Sequence, residues 1–353
     1  MKDFLGIFLL CLIASYLLVV FASAGGGWGL IVGTALVLAA LLAAVLAFCT
    51  GFSLYFWDFY SRAERAFQVP GLEGDFVPQG IDSFGDGFLV SGYHARSNQA
   101  SLFHVDAVGN ARALTLLTPD GSRLYCHAGG VAAEGSFVYL VGGSQCYVFS
   151  AGEVADWDRT EVTALGSFST RNRASFCTVW DGALLVGEYA RGDRYSTPES
   201  HHLTTPSGDE NAAVAFLFPL EEKEPLGVQE SPAAAVSLPE RIQGICFTND
   251  GRAVLSASGA LGVSQLYLYD REEVERGTDL HFTWPDGESV PLYCFDSAAA
   301  LDTLPLPPQA EETTFRGGKL YVLFESASFR FQYGKLVGTD AVYRLSLPKW
   351  EKP

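Results

Sequence analysis

The stretch QGICFTNDGRAVLSASG, residues 243–259, reads as two short strands folded about a tight turn. Its first half opens on polar Gln243 and runs through Ile245 and Phe247. Asn249-Asp250-Gly251 then supplies residue types that accept the positive φ a hairpin turn demands. The second half, Ala253 to Ala257, is a short apolar run bounded by small and polar residues, the pattern of a buried strand.

The same unit recurs as QGIDSFGDGFLVSGYH from Gln79, HAGGVAAEGSFVYLVGGS from His127, ASFCTVWDGALLVGEYA from Ala174 and AEETTFRGGKLYVLFES from Ala310. The starts are 48, 47, 69 and 67 residues apart, and repetition at such a period marks an array of like supersecondary units. Each copy is followed by a third strand: SLFHVD from Ser101, QCYVFS from Gln145, AVAFLF from Ala213, QLYLYD from Gln265 and AVYRLS from Ala341. Four copies have a fourth: ALTLL from Ala113, ALGSF from Ala164, AAVSL from Ala234 and DTLPLP from Asp302. The last copy stops near Pro348, and its matching fourth strand is AERAFQVP from Ala63, upstream of the first copy. Four strands per unit, with the opening strand completing the final unit, predict an all-β fold over residues 61–353, a β-propeller. Offset pairing around a ring leaves no sheet edge exposed. Five blades are counted; a sixth would have to fall in residues 271–300, where Leu292 to Phe295 is strand-like. A stack of hairpins or a sandwich explains the offset less well.

Residues 1–60 differ in kind. Phe4 to Ala24 is apolar and uncharged, and so is Gly29 to about Phe56, each long enough for a membrane-spanning helix of about 20 residues. Gly25-Gly26-Gly27 predicts a break between them, giving a two-helix transmembrane hairpin with spans 4–24 and 29–56. Ala22-Ser23-Ala24 also resembles a signal-peptidase site, the competing reading of the first stretch. Lys2, Arg62 and Arg65 flank the hairpin and its turn holds no Lys or Arg, so the positive-inside rule places the large domain in the cytoplasm.

The chain is 48% hydrophobic yet 18% charged, with a net charge of −17. The first 60 residues contribute −1 of this (Lys2 against Asp3 and Asp58), leaving −16 on the remainder. So acidic a domain repels phosphate, which excludes a nucleic-acid partner. Of seven cysteines, Cys11 and Cys49 lie in the anchor; the other five have no Cys-x-x-Cys spacing and read as buried thiols. A Cys126–Cys146 bridge would require an oxidising compartment.

Antiparallel blades bring first-strand starts and second-strand ends to one mouth of the channel. Gln79, His127, Arg173, Gln243 and Glu311 or Glu312 come from the former, and Tyr93, His94, Glu188, Ser258 and Glu325 from the latter. His127 beside carboxylates is the candidate catalytic acid or base, because an anion raises an imidazole pKa toward neutrality; a hydrogen-bonded channel residue is the plainer reading. Glu311 and Glu312 are the candidate ligands for a divalent cation such as Ca²⁺, although strand alternation lets only one of the two face the channel. Arg173 and Glu188 also read as a simple ion pair. His201-His202, in a polar loop, read as solvated, and the 191–211 insertion as a lid over the mouth.

The phrases QGI, HAGGVA, QGICFTNDGRAVLSASG and AEETTFRGGKLYVLFES resemble those of a family of bacterial membrane-tethered or secreted propeller proteins, over about residues 66–348. That resemblance implies tethering outside the membrane, against the charge rule. More distantly the chain is similar to gluconolactonase-like and strictosidine-synthase-like propellers, which implies six blades and, for the former, a divalent cation held by Glu, Asn and Asp. Gln79, His127, Gln243 and Glu311 stand at that level here, so only the glutamate type carries over. Likeness to streptogramin-lyase-like propellers implies a role for His127. The expected function is a membrane-anchored binding or scaffold protein that captures a small polar ligand or a protein partner at the mouth. The alternative is a cation-assisted hydrolase or lyase, lactonase-like, in the same place.

Overall fold

A computed structural model of the chain describes residues 26–259, 262–276, 279–331 and 339–348. The chain divides into two units, Met1–Trp57 and Asp58–Pro353. In the first, helix α1 (Gly26–Tyr55) is apolar throughout, with exposed Leu38, Leu42, Leu46 and Leu54. Its segment Val32–Tyr55 is long and apolar enough to cross a membrane, as an anchor or a signal sequence would be. The expected break is absent where it is described, since Gly26 and Gly27 already belong to α1. The expected span 4–24 lies outside the described residues.

The second unit is almost all strand. The short helix α2 (Trp57–Arg62) runs into β1 (Ala63–Gln68). Next come β2 (Phe76–Phe84), β3 (Gly87–His94), β4 (Ala100–Val105) and β5 (Ala111–Leu117), then β6 (Gly130–Glu134) and β7 (Phe137–Ser150). Helix α3 (Ala151–Ala155) precedes β8 (Glu161–Thr163), β9 (Gly166–Trp180), β10 (Ala183–Glu188), β11 (Leu203–Thr204), β12 (Glu210–Asn211), β13 (Ala213–Pro219) and β14 (Ala234–Leu238). Strands β15 (Ile242–Phe247), β16 (Arg252–Ala257) and β17 (Ser264–Asp270) lead to helix α4 (Arg271–Glu275). The chain continues through β18 (His281–Thr283), β19 (Ser289–Cys294), β20 (Ala300–Leu306), β21 (Ala310–Arg316), β22 (Lys319–Phe324) and β23 (Ala341–Leu345).

The sheets follow the repeats. Strands β2 to β5 form an antiparallel meander, with β8 added in parallel to β5. Strands β15, β16, β17 and β20 form another, and β21, β22, β23 and β1 a third. The second and third repeats share one eight-stranded sheet because β7 and β9 are long and change partners partway. Phe137 to Val141 of β7 pairs with β6, whereas Gln145 to Val148 pairs with Gly166 to Ser169 of β9; Ala174 to Trp180 of β9 then pairs with β10. The strand-like segment near Leu292 is β19, which lies parallel to β14 on the outer edge of this sheet and hairpins with β18.

The first strands of the five repeats neighbour one another in the order β2, β6, β9, β15, β21 and back to β2. Between successive sheets lie apolar layers. Leu89 and Leu102 meet Leu140 and Phe149 in one, and Phe76, Val90 and Phe103 meet Leu323 and Val342 in another. Such layers of fully buried Leu, Val and Phe, at about 2 kcal/mol per side chain, hold the sheets face to face. β1 pairs antiparallel with β23, from Ala63↔Leu345 to Gln68↔Ala341, as its sequence predicts. The arrangement is propeller-like, with first-strand starts gathered at one end.

Candidate functional site

Antiparallel pairing of β2 with β3 sets Phe76 beside His94 at one end and Phe84 beside Gly87 at the other. The candidate residues all belong to the first end. Below them the axis is occupied by Glu312, which is 1% exposed. Its Oε2 accepts from the backbone N–H of Ile81 (2.8 Å) and Val131 (3.1 Å), and its Oε1 from that of Cys177 (3.0 Å). Burial pushes this carboxyl well up, against the pull of the three N–H groups. One layer further along, Asp82 accepts from Ala133 N–H and the Thr314 hydroxyl, both at 2.9 Å, and burial raises its pKa to about 6.

The expected alternation of Glu311 and Glu312 fails because β21 is bulged between Ala310 and Thr313. Both side chains are buried: Glu312 takes the backbone donors, and Glu311 Oε1 accepts from Gln243 Nε2 (3.2 Å). Comparable bulges lie between Pro78 and Gly80 and between Ile242 and Gly244, at Gln79 and Gln243. Gln79 Nε2 donates to Glu325 Oε1 (3.1 Å) and Gln309 Nε2 to Oε2 (3.4 Å). Burial raises Glu325 to about 7. For Glu311, burial and then the charges of Glu325 and Glu312 raise the pKa well above the carboxylate range. The mouth thus holds two protonation-prone carboxyls braced by three glutamines.

Tyr93 stacks on His127 with ring centroids 4.4 Å apart, and its hydroxyl accepts from Arg330 Nη1 (3.1 Å). The His127 ring is solvent-accessible but crowded. Desolvation, then the Arg330 and Arg173 charges, lower its pKa to about 4, opposite to the rise expected from nearby carboxylates. His94 stands at the rim, its Nδ1 2.8 Å from Asp75 Oδ1. Ser258 is buried, and its carbonyl accepts from the Tyr189 hydroxyl (3.0 Å).

Glu188 does not pair with Arg173. Its Oε1 is 2.6 Å from His201 Nδ1 and accepts from Val214 N–H at 3.0 Å. His201 is therefore buried (5% exposed) rather than solvated, set edge-on against Phe216 and Phe282; His202 alone remains exposed. The 191–211 segment is pinned by this contact and by Asn211 Nδ2, which donates to Ser237 Oγ and Phe295 O. Cys126 and Cys146 are free thiols, not a bridge, and burial raises the Cys126 pKa to about 11.

A hard cation needs several free oxygen ligands. Both Glu312 oxygens are taken by backbone donors, and Glu311 and Glu325 face amide N–H groups, so this donor set does not fit one. Among the described residues, no group of three or more His, Cys, Asp or Glu is placed to hold a metal. Sequence reasoning missed Gln309, Arg330 and Asn172 and misread His201 as solvated; of the three missed, Gln309 alone had a signal, preceding the fifth copy by one residue.

No family model and no curated protein matches the chain. Among solved structures it is similar to the PQQ-bound aldose sugar dehydrogenase from Streptomyces coelicolor, at 12% identity over 80% of this chain and 95% of that one, with a TM-score of 0.43. RS223 β-xylosidase is 14% identical over 82% and 96% of the two chains, TM-score 0.43. BamB from Moraxella catarrhalis is 12% identical over 82% and 88%, TM-score 0.33. The propeller-like description rests on this domain's own sheet order and on the cyclic neighbourhood of its first strands.

Proposed function

We propose that this chain is a membrane-anchored, five-bladed propeller that captures a small polar ligand or a projecting polar group of a protein partner at its channel mouth. The observation that carries the reading is the convergence, from distant parts of the sequence, of two hydrogen-bonded sets, Gln79 and Gln309 on Glu325 and Gln243 on Glu311, beside Tyr93, His127 and Arg330. Amide and carboxyl groups offer both donors and acceptors, and the stacked Tyr93 and His127 offer an aromatic face. Placing the domain on the cytoplasmic side agrees with Arg62 and Arg65, which follow α1, and with thiols that need no oxidising compartment. The hydrolase or lyase alternative has less support, since a base with a pKa of about 4 is poorly matched to neutral pH and the cation ligands do not fit.

The test is photo-crosslinking in cells that express the full chain. A benzophenone side chain replaces His127 at the mouth or Val108, which is 83% exposed in the turn at the opposite end. Specific adducts from position 127 and none from 108 are expected. Equal labelling from both ends sinks the reading.

A further inference from the structure

Inside the mouth, hydrogen-bond donors outnumber the acceptors that answer them. Glu311 is 3% exposed, and its Oε1 accepts from Gln243 Nε2 (3.2 Å). Its Oε2 makes no hydrogen bond among the described residues. Unlike Asn172 Oδ1 and Arg112 Nε, which are sealed and unpaired, that oxygen keeps surface open to solvent. Glu325 has an amide donor on each oxygen, Gln79 on one and Gln309 on the other, so it bears a negative charge more readily than Glu311 does. A proton held between these two neighbours therefore resides on Glu311, and with Oε1 occupied it sits on Oε2 as an O–H donor. Burial, then the charges of Glu325 and Glu312, favour the same protonated form.

Tyr93 adds a second O–H. Its hydroxyl oxygen accepts from Arg330 Nη1 (3.1 Å), while its hydrogen has no acceptor among the described residues. The Glu311 charge acts on the hydroxyls of both Tyr93 and Tyr189, which places its carboxyl in their company. Tyr189 donates to Ser258 O (3.0 Å). Over the next residue, Gly259, Arg191 Nε and Arg241 Cδ stand side by side: a Cβ there would meet them at 3.5 and 3.4 Å. Three carboxylates at this end are engaged elsewhere, Glu188 with His201, Asp75 with His94 and Glu240 with the Gly192 N–H. Two O–H groups and neighbouring guanidinium groups, in a domain of net charge −16, call for an oxygen-rich anion.

We infer that the mouth binds the carboxylate group of a small organic acid: its oxygens accept from Glu311 Oε2–H and the Tyr93 hydroxyl, and Arg330 supplies the opposing charge. This rests on the capture function proposed above and names its ligand class. A neutral amide of the same shape lacks the charge that Arg330 answers and sets N–H donors against donors. The probes are acetate and succinate, each paired with its neutral amide at equal ionic strength, in saturation-transfer NMR on the full chain in detergent micelles. At least one acid should bind about tenfold more tightly than its amide. Arg330→Gln, at an exposed position, and Tyr93→Phe should each weaken that acid about tenfold. Arg276→Gln, which removes a charge after α4 at the opposite end, should leave it unchanged. Equal weakening by Arg276→Gln would mark a general ionic effect and overturn the assignment, as would full affinity in folded Arg330→Gln and Tyr93→Phe. If neither acid outbinds its amide while position 127 still crosslinks a partner, the ligand class is wrong and the capture reading stands.

Discussion

At the scale of single residues, Glu312 is the most demanding group in the domain. It brings a carboxylate to where no water need reach it and gives it three backbone donors from β2, β6 and β9. The close approach requires glycine on the facing strands. A Cβ at Gly80 would lie 2.8 Å from Glu312 Oε2, and one at Gly130 2.8 Å from Oε1. Glu312→Gln offers one oxygen and adds a donor that faces N–H groups, so at least one backbone donor loses its acceptor. Urea unfolding should show a loss of about 2–4 kcal/mol; unchanged stability would mean the carboxylate does not tie the strands. Glu325 behaves differently. Its pKa rises from an ordinary 4.5 to about 7, so folding favours the protonated form. That contribution is complete below pH 4.5 and is lost as pH rises through 7. The group is half-buried, so solvent screening holds the effect to about 1–2 kcal/mol. The gap between the unfolding midpoints of wild type and Glu325→Gln should therefore change between pH 5 and 8, and a constant gap would rule this out.

At the scale of elements, β1 is the piece whose removal matters most. It covers the edge of β23, and Phe59 of α2 stacks edge-on against Phe324 and Tyr343 at 5.7 and 5.5 Å. A chain starting at Asp58 should elute as a monomer on size exclusion. One starting at Pro70 exposes β23 and should aggregate; a monomeric Pro70 product would show that the edge is covered otherwise. This pairing was legible in the sequence, as were the third and fourth strands, because alternating apolar runs and Asn-Asp-Gly turns are local signals. The bulges at Gln79, Gln243 and Glu311–Glu312 were not. A bulge has no residue signature of its own, yet it decides that Glu311 and Glu312 are buried together. His201 was misread for a related reason: its polar neighbours Ser200, His202 and Thr204 suggested solvent, whereas its fate is set by Glu188, 13 residues earlier, and by Phe282, far along the chain. The shared sheet of the second and third repeats escaped too, since a strand that bends and one that ends look alike in composition.

At the scale of the whole molecule, an apolar helix and an acidic domain follow each other in one chain. If α1 holds the protein in a bilayer, the protein should stay with membranes through carbonate and high-salt washes. Leu42→Arg with Leu46→Arg should move it to the supernatant, as each charge at a helix centre costs about 3 kcal/mol on insertion; retention of the double variant would argue for other attachment. The pairing of first and last strands also has a consequence for biosynthesis. Arg65 and Asp340, an ion pair across that junction, are 275 residues apart, so the N-terminal strand leaves the ribosome long before its partner exists. Such distant contacts form late and slowly. A product cut short by a premature stop codon carries an orphaned strand near its beginning, a feature that proteases and chaperones can read. The finished shape thereby reports that translation has run past β23.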